Sequence, residues 1–84
     1  MKIGVLALQG AFIEHVHALQ RLASEIRHPI KIILIHSAND FEQLDALIIP
    51  GGESTTMMQL ASRDDLLDKL KLWIQSDQPT LVNP

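Results

Sequence analysis

Pro50-Gly51-Gly52-Glu53-Ser54-Thr55-Thr56 gathers two glycines, a carboxylate and three hydroxyls directly after the apolar run Ala46-Leu47-Ile48-Ile49. Glycines adopt backbone angles closed to other residues and let a ligand approach the main chain. Ser54 or Thr55 can cap a helix that follows, and free amide groups at a helix start favour a carboxylate or an oxyanion. Glu53 argues against a phosphate cradle, because a carboxylate repels phosphate. The Walker pattern needs a Lys after its last glycine, which is absent here, and no G-x-G-x-x-G occurs. On these residues alone the stretch is either a carboxylate-binding loop or a tight turn of the kind that ends many strands.

Other chemistry is scarce. The chain has no cysteine, so disulfides, thiolate metal sites and a thiol nucleophile are excluded for these 84 residues. His15 and His17 stand two apart on a helical pattern and point to different faces. They read as solvated or partner-facing residues, while His28 and His36 flank a strand and read as loop residues. No His pair has the i, i+4 spacing of a helical metal site, and no metal or cofactor is expected. Met57 and Met58 read as packing beneath the glycine loop. Ser76 and Thr80 are expected near the edge of the same site, without an evident base.

The elements that must position the loop follow from hydrophobic pattern. Ile3 to Leu8 is a short unbroken apolar run, which suits a parallel strand covered on both faces. Phe12, Val16, Leu19, Leu22, Ala23 and Ile26 recur every three or four residues, the mark of an amphipathic helix that Pro29 stops. Ile30 to Ile35 reads as the second strand. Ser37-Ala38-Asn39-Asp40 is turn chemistry, with a brief helical turn expected over Phe41 to Leu44. Ala46 to Ile49 is the third strand. A short helix is expected from Ser54 or Thr55, and Ser62-Arg63-Asp64-Asp65 carries the spacing of a capping box for the next. Leu66, Leu67, Leu70, Trp73 and Ile74 form its buried stripe, and Thr80-Leu81-Val82 begins a fourth strand. This order predicts an open α/β sheet of parallel strands with right-handed crossovers.

Composition narrows the function classes. Seven Lys and Arg are scattered through a chain of formal charge −3, with two Phe and one Trp, which argues against a nucleic-acid surface. The apolar run near the N-terminus is too short for a signal-peptide core or a membrane span. The expectation is a soluble, cytoplasmic chain with no membrane partner.

Two motifs together carry a resemblance. Gly4-Val5-Leu6-Ala7-Leu8-Gln9-Gly10-Ala11-Phe12 with Glu14-His15 is the first, and Leu47-Ile48-Ile49-Pro50-Gly51-Gly52-Glu53-Ser54-Thr55-Thr56-Met57 is the second. In both, the chain resembles the N-terminal part of the glutaminase subunits of pyridoxal 5'-phosphate synthase, the PdxT/SNO type of class I glutamine amidotransferase. The likeness runs from residue 2 to about residue 81. It implies a flavodoxin-like open parallel sheet, truncated after about four strands, with residues 1–84 forming the N-terminal half of an amidotransferase-like domain.

That resemblance also implies a function. Family members hydrolyse L-glutamine to glutamate and ammonia, and the ammonia passes to a barrel-shaped synthase subunit that assembles vitamin B6 from sugar phosphates. The implied substrate-binding residues are Gly52, Glu53 and Ser54. The Gly52 amide is implied in the oxyanion hole, with Gln9 and Gly10 nearby and responsive to docking of the synthase. Preorganised amides of this kind stabilise a tetrahedral oxyanion, often by about 3–4 kcal/mol per donor.

The family's nucleophile is a cysteine after the fourth strand, activated by a histidine that a glutamate orients. Counting on without gaps puts Pro84 at the cysteine's position, and the family's His and Glu come later still. The 84 residues are therefore expected to be inactive alone, and marginally stable with an open fourth strand. A fragment, a truncated gene product and a short variant remain open as origins. Two other functions also stay open: a non-catalytic piece that only docks on the synthase subunit, and a general carboxylate-binding α/β domain.

Overall fold

A computed structural model describes residues 1–7, 12–26, 29–51 and 64–83. The chain forms β1 (Lys2–Leu6), α1 (Phe12–Glu25), β2 (Lys31–Ile35), a 3₁₀ turn (Ala38–Phe41), β3 (Ala46–Pro50), α2 (Asp64–Gln75) and β4 (Thr80–Asn83). The four strands make one sheet in the order β2-β1-β3-β4, and every pair is parallel. All four expected strands are present, and the α/β class is the one that the apolar runs imply.

Strand alternation sorts the core into two layers. Ile3, Val5 and Ile48 face α1, where Leu19 is buried against them and Phe12 and Val16 pack at the margin. Leu6, Ile35, Leu47 and Ile49 face the other way, onto Leu66 and Leu70 of α2 and onto Phe41 and Leu44. Both faces of the central strands are thus covered, which is why β1 and β3 read as unbroken apolar runs.

Register aligns Leu34, Val5, Ile48 and Leu81 in one row across the α1 face. Its inner members are sealed, Val5 at 0% and Ile48 at 8% exposure, while Leu34 and Leu81 at the sheet edges are 37% and 57% exposed. α1 accordingly covers the middle of the sheet. Its expected stripe is wider than the surface it meets: Leu22 and Ile26 stay outside, at 45% and 39% exposure.

The turn before β3 lies earlier than its expected place at Phe41 to Leu44. It spans Ala38–Phe41 because Asp40 reaches back three residues: its Oδ2 accepts from the Ser37 backbone N–H at 3.0 Å and from the Ser37 hydroxyl at 3.3 Å. Helix α2 starts at Asp64 among the described residues and carries the expected stripe. The expected helix at Ser54 or Thr55, the Met57 and Met58 packing and the Ser62 cap lie outside the described residues.

α2 closes with a Schellman turn. The Gln78 N–H donates to the Trp73 carbonyl at 3.5 Å and the Asp77 N–H to the Ile74 carbonyl at 3.1 Å, with Asp77 left-handed at φ 56°. Among the described residues, no helix is long and apolar enough to cross a membrane.

Candidate functional site

The strand order fixes where a ligand crevice must be. β1 lies between β2 and β3, so the chain leaves β1 towards one edge of the sheet and leaves β3 towards the other. The connection from β1 runs through α1 on one face, and the connection from β3 returns through α2 on the opposite face. The carboxyl ends of β1 and β3 therefore border a topological switch point, the place where open α/β sheets bind ligands. The 2-1-3-4 order is the start of the flavodoxin-like arrangement, with its switch between β1 and β3.

Both sequence motifs continue from that point. The first leaves β1 at Leu6 and Ala7, and the Ala7 N–H donates to the Ile35 carbonyl at 3.0 Å, which extends the pairing with β2 by one step. The second leaves β3 at Pro50 and Gly51. Pro50 is also the register partner of Asn83, the last residue of β4. Three strand ends thus converge, and Ile49, the residue before Pro50, is fully buried there.

Gly51 shows why the loop begins with glycine. Its φ is +85°, in the left-handed region that disfavours side chains. A Cβ placed on it would meet nothing within 4 Å, so the backbone angle and not lack of room demands glycine. Gln9, Gly10, Gly52, Glu53, Ser54 and Pro84 lie outside the described residues, as does His28.

The remaining candidates are scattered by the fold. His17 is exposed and His15 half-buried on α1, on different faces as their spacing implies. His36 follows β2 and is exposed; its backbone N–H donates to Asp40 Oδ2 at 2.9 Å. That bond and the Ser37 N–H hold the Asp40 carboxyl below the usual aspartate range, which marks a turn brace. Among the described residues no group of three or more His, Asp or Glu side chains could hold a metal ion.

Thr80 and Ser76 do not border the site, contrary to expectation. Thr80 opens β4 and pairs with Leu47, three positions before Asn83 pairs with Pro50. At about 3.3 Å per residue, that puts Thr80 roughly 10 Å from the loop end of the sheet. The strand runs parallel to β3, so its first residue belongs to the amino end. Ser76, just past α2, lines a different cleft there with Phe41, Gln43, Lys69 and Trp73. The sequence holds one trace of that cleft, the spacing Lys69-x-x-Leu72-Trp73-x-x-Ser76 along one side of α2.

Comparison with known proteins adds descent to this geometry. Residues 5–82 match the model of the SNO glutamine amidotransferase family. A "Pyridoxal 5'-phosphate synthase subunit PdxT" of Pyrobaculum arsenaticum is 46% identical over 82 residues, covering 98% of this chain and 40% of the relative. The protein of the same name from Sulfurisphaera tokodaii is 43% identical over 81 residues, covering 96% of this chain and 40% of its own. A glutaminase of Schizosaccharomyces pombe is 46% identical over 79 residues, covering 93% of this chain and 32% of its own. Among solved structures, a glutamine amidotransferase superposes with a TM-score of 0.66 at 35% identity, over 95% of this chain and 39% of that one. The chain thus spans about two fifths of the length of the PdxT relatives it matches.

Proposed function

This chain belongs to the SNO glutamine amidotransferase family, and from that premise we propose that residues 1–84 are the N-terminal, glutamine-holding half of a glutaminase domain serving pyridoxal 5'-phosphate synthesis. The observation that carries this reading is the convergence of the two motifs on the β1/β3 switch point, with Gly51 at φ +85° opening the second. Gly52, Glu53 and Ser54 hold L-glutamine in this reading. In the same reading the Gly52 amide is the donor assigned to the developing oxyanion, with Gln9 and Gly10 assigned beside it.

The chemistry divides by residue. Hydrolysis of a carboxamide needs a nucleophile, a base and oxyanion donors. The glycine loop offers donors. A thiolate it cannot offer, because the sequence contains no cysteine. In this reading these 84 residues hold and orient glutamine and have no thiolate of their own to cleave it, and counting on without gaps puts Pro84 at the position of the family's nucleophile. The partner in this reading is the synthase subunit that consumes ammonia, and the compartment is the cytoplasm.

Calorimetric titration tests the binding half of the proposal. L-glutamine is expected to bind, with succinate and L-glutamate at least tenfold weaker, and Glu53→Ala or Ser54→Ala is expected to abolish the preference. Equal affinity for all three ligands would assign the loop to general carboxylate binding. Ammonia release from L-glutamine by the purified chain would overturn the assignment of catalysis to residues outside these 84.

A further inference from the structure

At the amino ends of the strands, opposite the end where Gly51 follows β3, a cleft of about 240 Å³ opens between the turn before β3 and the last turns of α2. Its α2 wall carries Lys69, Leu72 and Trp73 on one side of the helix. Leu72, beside the Trp73 and Phe41 rings, is 55% exposed and offers apolar surface at the mouth of the cleft. Trp73 is fixed in place: its indole N–H donates to Thr80 Oγ1 at 2.9 Å, and its ring meets Phe41 at 5.9 Å between centroids, tilted by 59°.

The opposite wall is equally anchored. Lys2 Nζ donates to the Glu42 carbonyl at 2.8 Å, and the Lys2 backbone N–H donates to Asp45 Oδ2 at 2.7 Å. Between these two ties, Gln43 is held in the left-handed region at φ 61°. A glutamine there is uncommon, and such strain persists where the surroundings over-determine it. Lys69 is the one charged residue of the lining, a cation in a chain of formal charge −3.

We propose that this cleft is a second binding site, for a small aromatic carboxylate. The ring lies against Trp73, Phe41 and Leu72, and the carboxylate meets the Lys69 ammonium, with the Gln43 amide as a further donor. One cation and neutral amides suit a monoanion better than a phosphate dianion. Sites for drug-sized ligands run to roughly 300–1,000 Å³, so this smaller cleft fits one ring with a short acidic arm. The site shares no residue with the glycine loop and stands or falls independently of the glutaminase reading.

Trp73 is the only tryptophan, so its emission reports on the cleft directly. The full chain is titrated with phenylacetate, and in parallel with phenylacetamide, which has the same shape without the charge. Phenylacetate is expected to give a saturable change with a Kd on the order of 1 mM, about 4 kcal/mol of affinity. Phenylacetamide is expected to bind at least tenfold more weakly. Lys69→Met, at an exposed position, should weaken phenylacetate tenfold and leave the unfolding midpoint unchanged. Gln43→Gly, which relieves the left-handed strain, should weaken binding without loss of stability. Absence of a saturable change, equal binding of the amide, or indifference to Lys69→Met would each overturn the proposal.

Discussion

The indole N–H of Trp73 donates to the Thr80 hydroxyl at 2.9 Å, and that hydroxyl in turn donates to the Gln78 carbonyl at 2.9 Å. One side chain thus ties the end of α2 to the first residue of β4 across the turn that joins them. Thr80→Val keeps the shape and removes both bonds. It is expected to lower stability by about 1 kcal/mol, since a net hydrogen bond contributes about 0.5–1.5 kcal/mol and both sit near water. Urea unfolding followed by Trp73 fluorescence measures the difference.

Gly4 tests the packing beneath the central strand. A Cβ there would lie 2.8 Å from Leu44 Cδ1 and 3.0 Å from Ile35 Cδ1, and Ile35 is fully buried. Gly4→Val forces those side chains off their rotamers and is expected to cost about 2–3 kcal/mol. A variant as stable as the parent in thermal unfolding would mean that the layer between β1 and the Leu44 turn is looser than described.

Gly51 separates backbone strain from crowding. Its added Cβ meets no atom, yet φ is +85°. Gly51→Ala is expected to cost about 1–2 kcal/mol through the left-handed angle alone, and to weaken L-glutamine binding by redirecting the loop. The opposite sign is expected at Asp77, left-handed at φ 56° where the helix ends. Asp77→Gly removes a side chain that prefers other angles and a negative charge from the negative end of the dipole. It should raise stability by about 0.5–1 kcal/mol in the same assay.

Acid should loosen the turn before β3. The Asp40 carboxyl is held below its usual range chiefly by the His36 and Ser37 backbone N–H groups. A folded pKa depressed in this way contributes stability that is fully present above the unfolded value of about 3.9. That contribution is lost as pH falls through the lower folded value. Asp40→Asn should be less stable than the parent at pH 7, with the gap closing below about pH 4. Stability measured from pH 7 to pH 2.5 checks the sign.

Much of this architecture was legible because burial leaves a mark on composition. β1 and β3 are covered on both faces, so their apolar runs declared them, and α2 declared itself through Leu66, Leu70 and Trp73. The turn at Ala38–Phe41 lies ahead of the expected Phe41 to Leu44 although its signal is present: Ser37-x-x-Asp40 has the same spacing as the cap expected at Ser62. Leu22 and Ile26 fit the α1 stripe by spacing but lie beyond the strands that α1 covers, a tertiary fact that no helical period contains. Thr80 is expected near the site, yet as the first residue of a strand parallel to β3 it pairs with Leu47 at the amino end, a placement that the parallel order read from the sequence already contains. Of the cleft at Trp73 the sequence shows only the α2 wall, because Gln43 and Lys69 come to one cleft only through the topology.

The most direct test of the central claim is a chimera in which residues 2–82 of this chain replace the matching segment of the Pyrobaculum arsenaticum relative, supplied with that relative's own synthase subunit. If these residues are the glutamine-holding half of a glutaminase, the chimera releases ammonia from L-glutamine, and Glu53→Ala in the grafted segment removes that activity. A folded chimera that releases no ammonia would contradict the claim, and would leave this chain a member of the family by descent alone.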